Sequence, residues 1–289
     1  MLVSRRSLVI EWGDCDPAGI VFYPRYFAFF DTSTWTLLTR AVGMGKAQML
    51  RHYDMPQLSF QLAEIAGERT YLRHGVTVEP GDVVLDVGAN VGVAAAFFAA
   101  QCGAGLVHCF EPVPALAALL RENVAALPAC VVHEHALSRA PGRLSLTYYP
   151  GAAAMSGLYA DPQRDAALVR TVLVNSGLEP AAADERLAGA HDPVPLTCEA
   201  RTLSSVLHDL ALAPVDLLKI DVERAELDVL AGLDEDDWPA IAQVVVEVHD
   251  EDGRCAALAE ALETRGFRVT REQEPVMRGT DVHMVYATR

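Results

Sequence analysis

Three stretches of this chain combine carboxylates, glycines and a lysine in spacings suited to holding a charged ligand. The first is Gly81-Asp-Val-Val-Leu-Asp-Val-Gly-Ala-Asn-Val-Gly-Val93, where an apolar run ends in Asp86 and enters a turn containing Gly88, Asn90 and Gly92. Glycines at 88 and 92 let a ligand approach the backbone, and the turn presents amide N–H groups at the start of a helix. A dinucleotide site would read Gly-x-Gly-x-x-Gly and seat a pyrophosphate. Here the turn reads Gly-x-Asn-x-Gly behind a carboxylate, which repels pyrophosphate and suits a ligand with positive charge, such as the amino group of a methionine moiety. The second stretch, Cys109-Phe-Glu-Pro112, places Glu111 at the tip of the next strand. An acid there accepts hydrogen bonds from both hydroxyls of a ribose. The third, Asp216-Leu-Leu-Lys-Ile-Asp-Val-Glu223, carries Lys219, Asp221 and Glu223 to the carboxyl end of a strand, the edge where open α/β sheets bind ligands. Lys219 and Glu223 read equally well as structural residues, Lys219 pairing with a neighbouring-strand acid such as Glu247 and Glu223 capping a helix.

These residues need a sheet to align them. Short β runs are expected at Val83–Val87, Leu106–Phe110, Val131–Glu134, Val215–Ile220, Val244–Val248, Phe267–Arg271 and His283–Tyr286. Helical periodicity fits Val91–Gln101, Ala115–Leu127, Leu203–Leu210, Ala225–Gly232 and Ala256–Arg265, with Gly103, Gly232 and Gly266 as left-handed stops. The alternation from Gly67 onward is that of a mostly parallel α/β sheet, and the last two strands follow one another with no helix between them. The Ala/Asp-rich stretch around 179–193 reads as a loop or an exposed helix end. Before residue 58 the texture differs, with Phe22, Tyr23, Tyr26, Phe27, Phe29, Phe30 and Trp35 close together.

Composition narrows the function classes. The chain has 289 residues, 51% hydrophobic and 21% charged, too apolar for disorder. With 23 Lys and Arg against 39 Asp and Glu the formal charge is −16, so the summed field repels nucleic acid and anionic lipid. No apolar run approaches the roughly 20 residues of a membrane-spanning helix. Six cysteines are scattered without a Cys-x-x-Cys pair, which fits a reducing cytoplasm and gives no metal-ligand spacing.

Residues from about 61 to 289 resemble the FkbM family of S-adenosylmethionine-dependent methyltransferases. The similarity lies in Glu68-Arg-Thr-Tyr-Leu-Arg-His-Gly75, Leu85-Asp-Val-Gly-Ala-Asn-Val-Gly92, Phe110-Glu-Pro112, Leu217-Leu-Lys-Ile-Asp-Val-Glu223 and Val244-Val-Val-Glu-Val-His-Asp250. Arg224 departs from the glycine that many members carry after the Val-Glu pair. The resemblance implies a class I, Rossmann-like α/β fold with a mostly parallel seven-stranded sheet and a C-terminal antiparallel hairpin. It implies S-adenosyl-L-methionine as cofactor, with Asp86, Gly88, Asn90 and Gly92 at the methionine end, Glu111 on the ribose, and His135-Ala136-Leu137 near the adenine. By the same analogy, residues 151–195 form a substrate-covering insertion in a methyltransferase domain spanning 58–289. The acceptor implied is a hydroxyl of a polyketide or nonribosomal-peptide product, free or bound to a carrier protein.

An alcohol loses its proton as the new bond forms, so a base is needed, and Asp221 and His249 at predicted strand ends are the candidates. Asp221, Glu223 and His249 are also residue types that bind metals, but their spacing establishes no site and none is assigned. Residues 11–31 resemble the start of a hydroxybenzoyl-CoA thioesterase-type hotdog domain, with Asp16 at the position of its acid. Only one strand and one helix of that fold fit before residue 58, and such a pair cannot bury both faces. The extension 1–57 therefore reads as a truncated remnant whose apolar surface favours homo-oligomer formation or partner docking. The competing functions are a docking protein, residual acyl-CoA thioesterase activity at this segment, and a nicotinamide oxidoreductase, the last disfavoured by the glycine pattern.

Overall fold

The computed structural model describes Ile65 and residues 69–289. The expected strand–helix extension, Asp16 included, lies outside the described residues. The strands are β1 (Val83–Val87), β2 (Leu106–Phe110), β3 (Cys130–His133), β4 (Ala136–Leu137), β5 (Gly142–Tyr148), β6 (Val194–Arg201), β7 (Leu217–Ile220), β8 (Gln243–His249), β9 (Arg268–Glu272) and β10 (Val282–Thr288). The α-helices are α1 (Val93–Cys102), α2 (Pro114–Val124), α3 (Pro162–Asn175), α4 (Pro180–Leu187), α5 (Leu203–Leu210), α6 (Glu226–Leu230) and α7 (Arg254–Thr264).

Seven strands make one sheet in the order β3-β2-β1-β7-β8-β10-β9. The first five run parallel, and β10 is antiparallel to both β8 and β9. This is the seven-stranded α/β sheet with a terminal hairpin that the resemblance implies. The chain order reverses between β1 and β7, so the carboxyl ends of β1, β2 and β7 converge on one crevice. Parallel strands covered on both faces are mostly apolar, as in Leu217, Leu218 and Ile220 of β7, each fully buried. Leu85, Val87, Leu218, Ile220, Val246 and Val285 face a core covered by α5, α6 and α7. Val84, Val107, Leu217, Val245 and Met284 face the opposite core, which α1 fills with Ala95, Phe98 and Cys102. No helix among the described residues is long and apolar enough to cross a membrane.

A second, three-stranded sheet, β4-β6-β5, was not anticipated. Tyr148 and Val194 are register partners at its open end, so residues 149–193 leave and re-enter the fold at one place. The stretch around 179–193 contains a helix, α4, and a longer one, α3, precedes it. The missed signal was local. Asp161 caps α3 by accepting the N–H groups of Gln163 and Arg164 at 3.0 and 3.1 Å, with Pro162 at the first helical position.

Of the three expected left-handed stops, Gly266 has a positive φ of 85°, whereas Gly103, with φ 57° and ψ −98°, lies outside the left-handed helical region. Gly232 serves a different need. A Cβ there would come within 2.3 Å of the Ser138 carbonyl oxygen, so glycine is required by the close packing of α6 on the loop after β4. Gly232→Ala is therefore expected to destabilise the fold by about 1–3 kcal/mol through overpacking against backbone, read as a lower urea midpoint with an unchanged m-value.

Candidate functional site

Asp86 on β1 and Lys219 on β7 are register partners on adjacent parallel strands. The two-residue period turns both toward the α1 face, among Val84 and Leu217. The Lys219 Nζ donates to Asp86 Oδ1 at 2.8 Å and to the Gly88 carbonyl at 2.9 Å, and lies 3.6 Å from Asp221 Oδ2. Asp86 is 0% exposed and Lys219 1%. Burial works against the ammonium, but Asp86 and then Asp221 outweigh it and lift the lysine pKa above its ordinary value. The neighbouring-strand acid that pairs with Lys219 is thus Asp86, with Glu247, the expected example of such an acid, acting on it at longer range.

The lysine grips the turn that follows β1. Gly88, Asn90 and Gly92 have φ of 80°, 48° and 92°. A side chain at Gly88 would put its Cβ 1.8 Å from the Asp221 carbonyl oxygen, and one at Gly92 would press on Leu120 at 2.5 Å. The amides of the turn point inward, contrary to the expectation that they face a ligand. Gly88 and Ala89 donate to the Phe110 carbonyl at 3.1 and 3.0 Å, Gly92 to Ala89 at 2.8 Å, and Val91 to the side chain of Asn90 at 2.7 Å. Asn90 N–H donates to Glu111 Oε2 at 2.9 Å, while Glu111 Oε1 accepts from Val113 N–H at 2.9 Å. Glu111 is thereby built into the turn as its brace. Burial pushes its pKa up to about 7, against the pull of those two N–H groups and of Lys219. The remaining oxygen of Asp86, Oδ2, is buried without a hydrogen-bond partner.

An aromatic group closes the β2 and β3 tips. Phe110 stacks on His133 at 4.8 Å, His135 stands edge-on to both, and His133 Nε2 lies 3.0 Å from His108 Nδ1. Burial holds His133 down to about 4 and lowers His108 and His135 as well, so all three are neutral at pH 7. Ala136, expected near an adenine, is buried in the small-sheet core with Val113, Leu116, Cys198 and Ala200. His135, the first residue of the expected adenine stretch, stands beside Phe110 and His133 at the tip.

The two candidate bases occupy different environments. Asp221 keeps a side chain 24% exposed beside Gly88, and its Oδ2 accepts from the Tyr71 hydroxyl at 2.8 Å. Tyr71 is 150 residues away in the chain, a distance across which no sequence pattern links the two. His249 is 1% exposed, with Nε2 3.1 Å from Glu223 Oε2 and Nδ1 3.7 Å from Asp281 Oδ1. Burial alone would lower its pKa, but Asp281, Glu223 and Glu226 raise it to about 11, and its charge holds Asp281 down to about 2. An imidazole that keeps its proton so firmly has no lone pair for base work at neutral pH. Glu223 therefore pairs with His249 and does not cap α6, whose N-cap is Ala225. Glu223, Glu247 and His249 place one potential ligand atom each within 4.8 Å of one another. Glu247 thus takes the place Asp221 had among the metal-type residues.

The family profile described as Methyltransferase FkbM domain matches residues 86–269. A 31-O-demethyl-FK506 methyltransferase, FkbM, from Streptomyces tacrolimicus is 41% identical over 240 residues, covering 82% of this chain and 92% of that protein. The AMB antimetabolite synthetase AmbE of Pseudomonas aeruginosa PAO1 is 36% identical over 255 residues, 82% of this chain but only 12% of the synthetase. Methyltransferase sdnD of Sordaria araneosa is 32% identical over 241 residues, 79% of this chain and 90% of that one.

Removing one member of the buried pair tests how the site is built. Lys219→Met leaves the buried Asp86 carboxyl without its partner and is expected to destabilise the chain by about 3–5 kcal/mol. The double variant Lys219→Met, Asp86→Leu should recover much of that loss in the same denaturant titration, because no buried charge is then stranded. Additive losses would contradict a shared interaction.

Proposed function

The chain belongs to the FkbM family of methyltransferases, and we propose that it transfers the methyl group of S-adenosyl-L-methionine to a hydroxyl oxygen of a small natural product of the polyketide or nonribosomal-peptide kind. The observation that carries the cofactor assignment is the chemistry left at the crevice. With the turn's amides satisfied inside the protein, the groups left with unused hydrogen-bonding capacity beside it are acceptors: the buried, orphaned Asp86 Oδ2 and the Glu111 carboxylate, each of whose oxygens has a lone pair beyond its one N–H bond. Such a set fits an ammonium and two ribose hydroxyls and does not fit a pyrophosphate. Asp86, Gly88, Asn90 and Gly92 would hold the methionine end and Glu111 the ribose, with His135 and Phe110 beside the adenine.

The cofactor, when bound, supplies an electrophilic methyl on a sulfonium. The chain's own part is to align an oxygen with that methyl and to take its proton. Asp221 is the residue for the second task. Its backbone abuts Gly88, Tyr71 fixes one carboxylate oxygen, and the other is free to accept from an acceptor hydroxyl. Lys219 Nζ lies 3.6 Å from the same oxygen that Tyr71 holds, so both fixed contacts fall on Oδ2. Residues 149–193 would cover the acceptor. Delivery on a carrier protein fits the relationship to a synthetase, though this chain corresponds to only 12% of that protein.

Calorimetry with S-adenosylhomocysteine tests the assignment. We expect binding, and no binding of NAD. Glu111→Ala should weaken it by about 1–3 kcal/mol through lost charge-assisted hydrogen bonds. The ribose hydroxyls need the ionised carboxylate, and the free group titrates near about 7. Binding therefore releases a proton below that value, and affinity should rise with pH through it and then level off. Glu111→Gln should flatten that rise; an equal rise in the variant would remove Glu111 from the ribose.

A further inference from the structure

The loop between β7 and α6 connects the glycine turn to residues 149–193, and it is built around one arginine. Glu223 and Arg224 are consecutive non-glycine residues at φ 50° and 73°, a backbone that L-residues adopt only when their surroundings hold them there. The restraints are specific. Arg224 N–H donates to Glu226 Oε1 at 2.7 Å, and its guanidinium Nη1 donates to Asp165 Oδ1 at 2.6 Å. The Nε lies 3.2 Å from Glu251 Oε1. Asp165 is on α3, 0% exposed, and its other oxygen accepts from the Tyr149 hydroxyl and from Asp161 N–H, both at 2.9 Å. Next to this pair, Gly157 backs onto Glu223 so closely that a Cβ there would lie 3.0 Å from Glu223 Cβ. At the other end of the same loop the Asp221 carbonyl packs on Gly88.

An ion pair with both side chains 2% exposed or less is an inefficient way to gain stability, because desolvation offsets most of the attraction. What it does supply is direction: a planar guanidinium fixes its partners in one geometry. We infer that Arg224 is a positioning residue that locks α3 and the surrounding insertion onto the Asp221–Arg224 loop, so that occupancy of the Gly88–Gly92 turn is transmitted to the cover over the acceptor. The inference rests on the turn being the cofactor site.

Hydrogen–deuterium exchange of the full chain, with and without S-adenosylhomocysteine, separates the two ideas. In the unaltered chain the nucleoside should slow exchange at residues 88–92 and also across α3. Arg224→Gly keeps a backbone suited to φ 73° and removes only the side chain. It should retain the slowing at 88–92, lose the nucleoside-dependent slowing in α3, and raise ligand-free exchange of α3 by about tenfold. A merely structural arginine would raise the ligand-free rate and leave the nucleoside-dependent difference intact. Asp165→Asn probes the same contact from the insertion side, should Arg224→Gly fold poorly, and should give the same pattern. Protection confined to 88–92 in the unaltered chain, or α3 exchange in both variants equal to that of the unaltered chain, would overturn the proposal. Absence of slowing at 88–92 in the unaltered chain would instead overturn the cofactor assignment, and the coupling with it. The ligand-free α3 rates would still decide whether Arg224 holds the insertion.

Discussion

A single ammonium in the middle of the sheet governs this site. Lys219 sits among carboxylates that would otherwise repel one another: Asp86 on the neighbouring strand, Asp221 at its own strand end, and Glu247 on the far side. By donating also to the Gly88 carbonyl, it fixes the turn on which the site depends. The turn's amides are directed back to Phe110 and Glu111, and the unused hydrogen-bonding capacity beside the turn belongs to carboxylate acceptors. One buried charge thus determines both the shape of the loop and the sign of the ligand it suits.

The consequence extends across the β7–α6 loop. Asp221 can stand close to the turn only because residue 88 has no side chain, and after Val222 come two left-handed residues, Glu223 and Arg224, the second of which pairs with Asp165 of α3. The acids beyond it are organised differently from those near Lys219. Glu223, Glu226 and Asp281 surround the imidazolium of His249, and this second cation does for the loop what Lys219 does for the turn. Each acid cluster thus has one basic side chain at its centre, which offsets part of the cost of burying the carboxyl groups.

Much of this was legible in the residues. Asp86 and Glu111 stand at strand ends because the apolar runs Val83–Val87 and Leu106–Phe110 admit only a parallel, doubly covered sheet, and all seven main-sheet strands were found within a few residues. The small sheet was not, because Arg143-Leu-Ser-Leu-Thr147 and Pro195-Leu-Thr-Cys-Glu199 alternate over short spans separated by the whole insertion, and only tertiary pairing reveals that they are neighbours. Spacing likewise places Lys219 on a strand beside neighbouring acids, but only the register shows that Asp86 is the one opposite it. His249 was legible as a strand-end histidine and not as an imidazolium, since Asp281 and Glu223, which hold its proton, reach it from other loops.

The most direct measurement is a crystal structure of the chain with S-adenosylhomocysteine. The account predicts the amino group near Asp86, the ribose hydroxyls on Glu111, and the Lys219 contacts to Asp86 and Gly88 unchanged. A nucleoside lodged elsewhere, or one whose binding breaks the Lys219–Asp86 pair, would contradict it.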